Sequence, residues 1–276
     1  MMSDLSTIKN LSATLQEQET LMPVFFIGHG SPMNGIEDNV FSREWAAVAN
    51  DIPQPKAVIV VSAHWFTRGT FVTAMDFPQT IHDFGGFPQD LFDVQYPAPG
   101  DPQLAAETVA LVKGTPVGLD HDWGLDHGAW TVVRHMYPLA NIPVLQLSMD
   151  YTKSPADHYA LAKELYSLRK KGVLIMGSGN MVHNLRMMDW SMINGGGFDW
   201  ALDINERFKT SILSSEHDDL IHFDRLGQAA KLAIPTPEHY LPLLYTLALK
   251  NDQDQVTLFN DKAVAGSLTM TSVRIG

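Results

Sequence analysis

The sequence contains no cysteine, and this absence excludes several kinds of chemistry. Disulfide bonds, thiolate nucleophiles, zinc sites with sulfur ligands and iron–sulfur clusters all require that residue. Any metal bound by this chain must therefore be held by nitrogen and oxygen ligands. Such ligands suit iron, zinc, manganese or copper.

Basic residues are also scarce, since 19 lysines and arginines stand against 31 acidic residues and the formal net charge is −12. Phosphate binding depends on clustered lysine and arginine, so we do not expect nucleic acid or an anionic membrane surface as the main partner. No apolar run approaches the length of a membrane span, and residues 1–20 lack the apolar region of a signal peptide. We expect a cytoplasmic protein with a lead-in over residues 1–20 and one domain over residues 21–276.

Short apolar runs rich in β-branched residues predict buried strands at 23–27, 57–62, 143–148 and 172–179. Helices are predicted at 101–113, 154–171, 200–213 and 239–249. Near-continuous apolar strands are typical of a sheet that is buried on both faces. The alternation of strands and helices predicts an α/β single-domain sandwich, with a central, largely parallel or mixed sheet flanked by helices on both faces. The glycine-rich segments match neither a phosphate-binding loop nor a dinucleotide fingerprint, so we expect no nucleotide cofactor.

Four histidines lie at predicted strand ends or in tight loops: His29 in GHGSP, His64 in SAHW, His183 in GNMVHN and His239 in PTPEHY. Ligands of open parallel sheets collect at the carboxyl ends of the strands, which places at least the first three on one rim. Imidazole is the commonest protein ligand for a divalent metal. The pattern therefore predicts a mononuclear metal site.

Several roles stay open at this level. His64 could equally be a hydrogen-bonded core histidine, and His183 could be a third ligand or a proton carrier. Glu238 competes with His239, because two histidines and one carboxylate form the usual non-haem iron(II) triad. A position near a helix N-terminus would keep His239 neutral, as a ligand must be.

His127 lies between Asp126 and Gly128 in a loop rich in glycine and aspartate. A neighbouring carboxylate can raise the pKa of a histidine and select its tautomer, so we favour a general acid–base role over a ligand role. His82 could line a substrate pocket or be purely structural. The aromatic residues near these loops could face an aromatic substrate, although aromatic side chains are more often core: Trp65, Phe84, Phe87, Trp130 and Tyr240.

Taken together, these motifs resemble the DOPA 4,5-extradiol dioxygenase family, which belongs to the class III (LigB-type) extradiol ring-cleavage dioxygenases. The segments that carry the resemblance are GHGSP, SAHW, residues 80–88, DHG at 126–128, GNMVHNLR at 179–186 and PTPEHY at 235–240. It runs from about Pro23 to Gly276, and the bacterial branch is especially similar.

The resemblance implies insertion of both atoms of O₂ into a catechol, such as DOPA, at a single metal. By position, His29 and His64 are the firmest ligands, and His183 and His239 also line the metal. His127 or His183 would handle protons. Iron(II) is the metal expected for activity, and zinc(II) is an alternative bound metal. The expected partners are a small catechol and O₂, and the oligomeric state is left undetermined.

Two other functions are consistent with the same residues. A zinc-dependent hydrolase would use metal-bound hydroxide as its nucleophile and would need no O₂. A non-enzymatic binding protein of the same fold ranks last, because the histidine set is intact.

Overall fold

The computed structural model describes residues 15–17 and 20–276, so most of the predicted lead-in over residues 1–20 lies outside the described residues. The strands, numbered along the chain, are β1 (Val24–Gly28), β2 (Ala57–Ser62), β3 (Phe66–Thr67), β4 (Thr70–Thr73), β5 (Val117–Asp120), β6 (Val144–Gln146), β7 (Met149–Asp150), β8 (Val173–Gly179), β9 (Val256–Phe259), β10 (Ala263–Val264), β11 (Leu268–Thr269) and β12 (Ser272–Ile275).

The helices are α1 (Val40–Asn50), α2 (Gln89–Phe92), α3 (Pro102–Leu111), α4 (His127–Met136), α5 (Pro155–Glu164), α6 (Tyr166–Lys170), α7 (Asp199–Ser214), α8 (His217–Ile221), α9 (Gln228–Ala233) and α10 (Leu241–Ala248). Short 3₁₀ turns occupy Pro32–Gly35, Leu185–Met187, Trp190–Met192 and Phe223–Leu226. Within the described residues, no helix has the length and apolarity needed to cross a membrane.

A six-stranded mixed sheet in the order β6-β2-β8-β1-β12-β9 forms the centre of the fold. The pairs β6–β2, β2–β8 and β8–β1 are parallel, whereas β12 runs antiparallel to both β1 and β9. Side chains alternate across this sheet: Val24 and Phe26 of β1 belong to one core cluster, and Phe25 and Ile27 belong to another. The first cluster includes residues of α3, α5, α7 and α10, and the second includes residues of α1 and α4. The predicted α/β sandwich with helices on both faces is confirmed.

Two of the predicted helices have different bounds in the structure. The helix expected over 154–171 is divided at Leu165 into α5 and α6. Its predicted start is correct, because the Ser154 side chain accepts from the backbone N–H of Asp157 at 3.2 Å and Pro155 occupies the first turn. The helix expected over 239–249 begins only at Leu241, so His239 lies in the turn before α10.

The parallel strands bring three functional segments to one edge of the sheet. Gly28 pairs with Gly179, and Ser62 pairs with Ser178, so β1, β2 and β8 end side by side. His29, His64 and the loop after β8 follow these ends directly. The convergence predicted from strand order is therefore observed.

Candidate metal centre

The five histidines singled out from the sequence lie together in one cluster. The ring centroids of His29, His64 and His239 are mutually 5.0–5.1 Å apart. His127 lies 3.8 Å from His64, and His183 lies 3.5 Å from His239, again between ring centroids. These residues come from segments spread over most of the chain, and the sheet edge is what brings them together.

A hydrogen-bond relay beneath the cluster fixes the tautomer of His29. The Ser178 hydroxyl donates to the carbonyl of Gly128 at 2.5 Å. Its single proton is thereby used, so the contact of 3.0 Å between Ser178 Oγ and His29 Nδ1 must have the imidazole as donor. Nε2 of His29 consequently carries a free lone pair. Gly30, next to it, adopts a positive φ of 63°, as the glycine-rich motif predicts.

The Nε2 atoms of His29 and His64 face each other at 3.1 Å. Burial, reinforced by the neighbouring histidines, holds the pKa of His29 well below its ordinary value. Burial, followed by the proximity of His127, lowers the pKa of His64 to about 3. Both rings are therefore neutral near pH 7, and neutral imidazole is the form that binds metals. Two nitrogen ligands at about 2.0–2.1 Å from one ion and about 100° apart lie roughly 3.1 Å from each other, so this pair fits a shared metal.

His239 is placed by a close approach of two backbone segments. Its carbonyl accepts from the backbone N–H of Asn180 at 2.9 Å. A Cβ on Gly179 would lie 2.0 Å from that carbonyl oxygen, which explains why glycine ends β8. The Nδ1 atom of His239 is buried and finds no hydrogen-bond partner among the described residues, as expected of an atom that binds a metal. Burial also holds the pKa of His239 well below its usual range.

Glu238 points away from this cluster. Its carboxylate accepts from the Thr236 hydroxyl at 2.6 Å, whereas the ring of His239 lies among the other imidazoles. Of the two ligands left open by the sequence, His239 therefore has the better position.

His183 stacks on His239 with its ring plane inclined by only 6°. Burial lowers the pKa of His183 to about 4, and the charge of His127 acts in the same direction. This ring is consequently neutral as well near pH 7.

His127 is the first residue of α4, and its partner is not the carboxylate next to it in sequence. Asp126 caps α4 by accepting from the backbone N–H of Ala129 at 3.1 Å, and it also accepts from Ser62 and Gln146 at 2.7 Å each. Burial raises the pKa of Asp126. The carboxylate that contacts the ring of His127 is Asp83, whose Oδ2 lies 3.0 Å from Nδ1.

Asp83 lies on an exposed loop, yet its side chain turns inward and is only 17 % exposed. Burial would raise its pKa, but the contacts with His127 and His64 outweigh that effect and hold the pKa below its ordinary value. Among the described residues, the three histidines whose donor atoms all lie within 4.8 Å of one another are His29, His64 and His127. His127 is therefore within reach of a metal, whereas His239 is outside that set of three.

His82 is not part of the cluster. Its Nε2 lies 2.9 Å from the carbonyl of Val94, and its side chain lines a cavity of about 370 Å³ outside the cluster. Phe84 contacts the ring of His127 at 5.6 Å between centroids and so borders the cluster. Trp65, Trp130 and Tyr240 are buried core residues. Two cavities of about 370 and 460 Å³ lie in the described structure, and none of the five histidines lines either.

Sequence reasoning missed Asp83 and Ser178. Ser178 was visible as a hydroxyl inside the otherwise apolar strand β8, but its glycine neighbours favour the interpretation of a turn. Asp83 stands beside His82 in a loop that no periodicity marks. The signal available was an isolated carboxylate between aromatic residues.

Comparisons with known proteins identify the family of this chain. The family described as the catalytic LigB subunit of aromatic ring-opening dioxygenase matches residues 23–272. A protein of Escherichia coli (strain K12) named 4,5-DOPA dioxygenase extradiol is 48% identical over 262 residues, covering 93% of this chain and 96% of that protein. A Beta vulgaris protein with the same name is 33% identical, covering 93% of this chain and 97% of that protein.

A crystal structure of an uncharacterized protein from Escherichia coli K12 superposes on this fold with a TM-score of 0.80 at 43% identity. The match covers 92% of this chain and 100% of the other. The fold, the histidine cluster and the family match lead to one conclusion: this chain belongs to the LigB family of aromatic ring-opening dioxygenases and is an enzyme of the extradiol type.

Proposed function

We propose that this enzyme cleaves a catechol, such as DOPA at its 4,5 bond, with O₂ at one metal ion, and that residues 21–276 form the catalytic domain. The observation that carries the proposal is the pair of Nε2 atoms of His29 and His64 at 3.1 Å, with the buried ring of His239 beside them. The relatives named 4,5-DOPA dioxygenase extradiol support a catechol of this class as substrate.

His29, His64 and His239 are the proposed ligands. The lone pair of an imidazole lies in the plane of its ring, so an ion bound by His239 lies in the plane of that ring. His183 is parallel to His239 and 3.5 Å away, so its own lone pair cannot point at the same ion without a change of ring orientation. This arrangement favours the proton-carrier role for His183 over the ligand role.

His127 is the proposed acid–base residue for the substrate hydroxyl. Nδ1 lies 3.0 Å from Oδ2 of Asp83, and the remaining nitrogen, Nε2, can accept a proton. The Asp83 carboxylate stabilises the imidazolium that forms, and His127 can later return the proton. Phe84 adds an apolar surface beside that ring, which would pack against an aromatic substrate and exclude water.

Iron(II) is the proposed active metal, because a bound iron supplies both Lewis acidity and the redox chemistry that O₂ requires. Zinc(II) accepts the same nitrogen ligands but has no redox chemistry, so zinc-loaded protein should be inactive.

The test is anaerobic loading with Fe²⁺, followed by O₂ uptake and visible absorbance with DOPA and a small panel of catechols. We expect one O₂ consumed per ring opened, a yellow product, and loss of both signals in His29→Ala. Absence of O₂ uptake on every catechol at one bound iron per chain would contradict the proposal. Hydrolytic activity that persists with zinc and without O₂ would instead favour the hydrolase alternative.

A further inference from the structure

One carboxylate serves two histidines of the cluster. Oδ2 of Asp83 lies 3.0 Å from Nδ1 of His127 and 3.5 Å from Nδ1 of His64. An ionised carboxylate can only accept, so both contacts favour an imidazole that carries its proton on Nδ1. They are electrostatic contacts and not aligned hydrogen bonds, because Nδ1 of His127 has no hydrogen-bond partner among the described residues. Each ring then has its proton on Nδ1 and its lone pair on Nε2. For His64, that is the atom that faces His29.

The two oxygens of Asp83 have separate partners. Oδ1 accepts from the backbone N–H of His127 at 2.9 Å, which is one of the donors left free at the start of α4. Oδ2 faces the two rings. Within the described residues, the ion pairs of Asp83 are with these two histidines, and no lysine or arginine competes for it. Oδ1 therefore supports the start of α4, and Oδ2 orients the two rings.

We propose that Asp83 is a positioning residue that holds His64 and His127 in the tautomer with the proton on Nδ1, so that both Nε2 atoms are available to the metal and the substrate. This assignment rests on the proposed function for its catalytic consequence. The tautomers themselves can be observed without any turnover. A histidine whose distal nitrogen is bound by a carboxylate is held in one ring orientation, and loss of such a partner typically lowers metal affinity or activity by about 10–100-fold.

The division between the two oxygens suggests Asp83→Asn as the test variant. The amide oxygen can still accept from the His127 backbone, whereas the amide NH₂ replaces Oδ2 and donates toward the rings. That reversal favours the tautomer with the proton on Nε2. Asp90→Asn is the matched control, because Asp90 is an exposed residue of α2 a few positions away.

The first readout is ¹⁵N NMR of histidine-labelled, zinc-loaded protein, with the signal of His127 assigned from the spectrum of His127→Ala. We expect a His127 ring protonated on Nδ1 in the wild type and in Asp90→Asn, and a shift of the His127 signal toward Nε2 protonation in Asp83→Asn. Unchanged ring signals in Asp83→Asn would overturn the proposal.

The second readout is kinetic. With iron content matched by direct metal analysis, Asp83→Asn should lose about 10–100-fold in kcat with little change in KM for the catechol. Equal kcat in the variant and the wild type would also overturn the positioning role. If the wild type itself opens no catechol, the proposed function fails while the NMR result still decides the tautomers. Should Asp83→Asn not fold, Asp83→Ser, which keeps a small acceptor but has no second oxygen, takes its place in both measurements.

Discussion

The rings of His183 and His239 stack face to face, with centroids 3.5 Å apart and planes inclined by 6°. Only one of two such rings can direct its lone pair at a given ion. We therefore expect His239→Gln to lose bound iron on desalting, while His183→Gln retains it but turns over slowly. Metal analysis of both variants beside His121→Gln, an exposed control, checks this. Retention of iron by His239→Gln would transfer the ligand role to another residue.

The contact between Gly179 and His239 makes a prediction about backbone packing. A methyl group at Gly179 would meet the carbonyl oxygen of His239 at 2.0 Å, and neither backbone can give way easily. Gly179→Ala should lower the free energy of unfolding by about 2 kcal/mol or more and weaken metal binding. Urea unfolding and metal titration measure both effects. Gly85→Ala is the control, since a Cβ there meets nothing within 4 Å, and an equal response of the two variants would contradict this explanation.

The buried ion pair between Arg169 and Asp254 should contribute strongly to the free energy of unfolding. Arg169 is 0% exposed and donates to Asp254 at 2.7 Å and to the carbonyl of Met22 at 2.8 Å. Arg169→Met leaves a buried carboxylate without its partner, which should cost about 3–5 kcal/mol. The exposed pair of Arg43 and Asp38, with side chains 66% and 77% exposed, is the matched control. Arg43→Met should leave the unfolding free energy nearly unchanged, because solvent screens an exposed ion pair.

His158 makes stability depend on pH. Burial lowers the pKa of His158 to about 4, whereas a histidine in an unfolded chain titrates near 6.5. Between these values the unfolded chain binds a proton that the folded chain does not, so acidification favours unfolding. The loss should begin as the pH falls through about 6.5 and level off below about 4, with a total of roughly 3 kcal/mol.

The measurement is urea unfolding at several pH values for the wild type and His158→Gln. The cluster histidines contribute equally in both proteins, so the difference in slope reports His158. We expect a flatter pH dependence in the variant, with His121→Gln unchanged. Parallel curves for the wild type and His158→Gln would show that this residue is not held neutral.

The sequence predicts the sheet and the convergence of histidines because both depend on patterns that act everywhere along the chain. Apolar runs mark β1, β2 and β8, and the parallel-sheet rule brings their ends to one rim. The partners of those histidines depend instead on single loop conformations. Glu238 and His239 are adjacent, and only the turn before α10 decides which side chain faces the cluster. Asp83 reaches His127 across a loop without periodicity, so no pattern in the sequence could indicate that contact.

The antiparallel strand β12 has a consequence for the order in which this protein matures. It follows every other described strand in sequence, and it pairs with β1, which leads into His29. The remaining proposed ligands follow β2 and precede α10, so the donors come together only when early and late segments have associated. A nascent chain cannot complete the proposed site before His239 has been synthesised. Chains truncated before His239 should therefore acquire no metal at the proposed site.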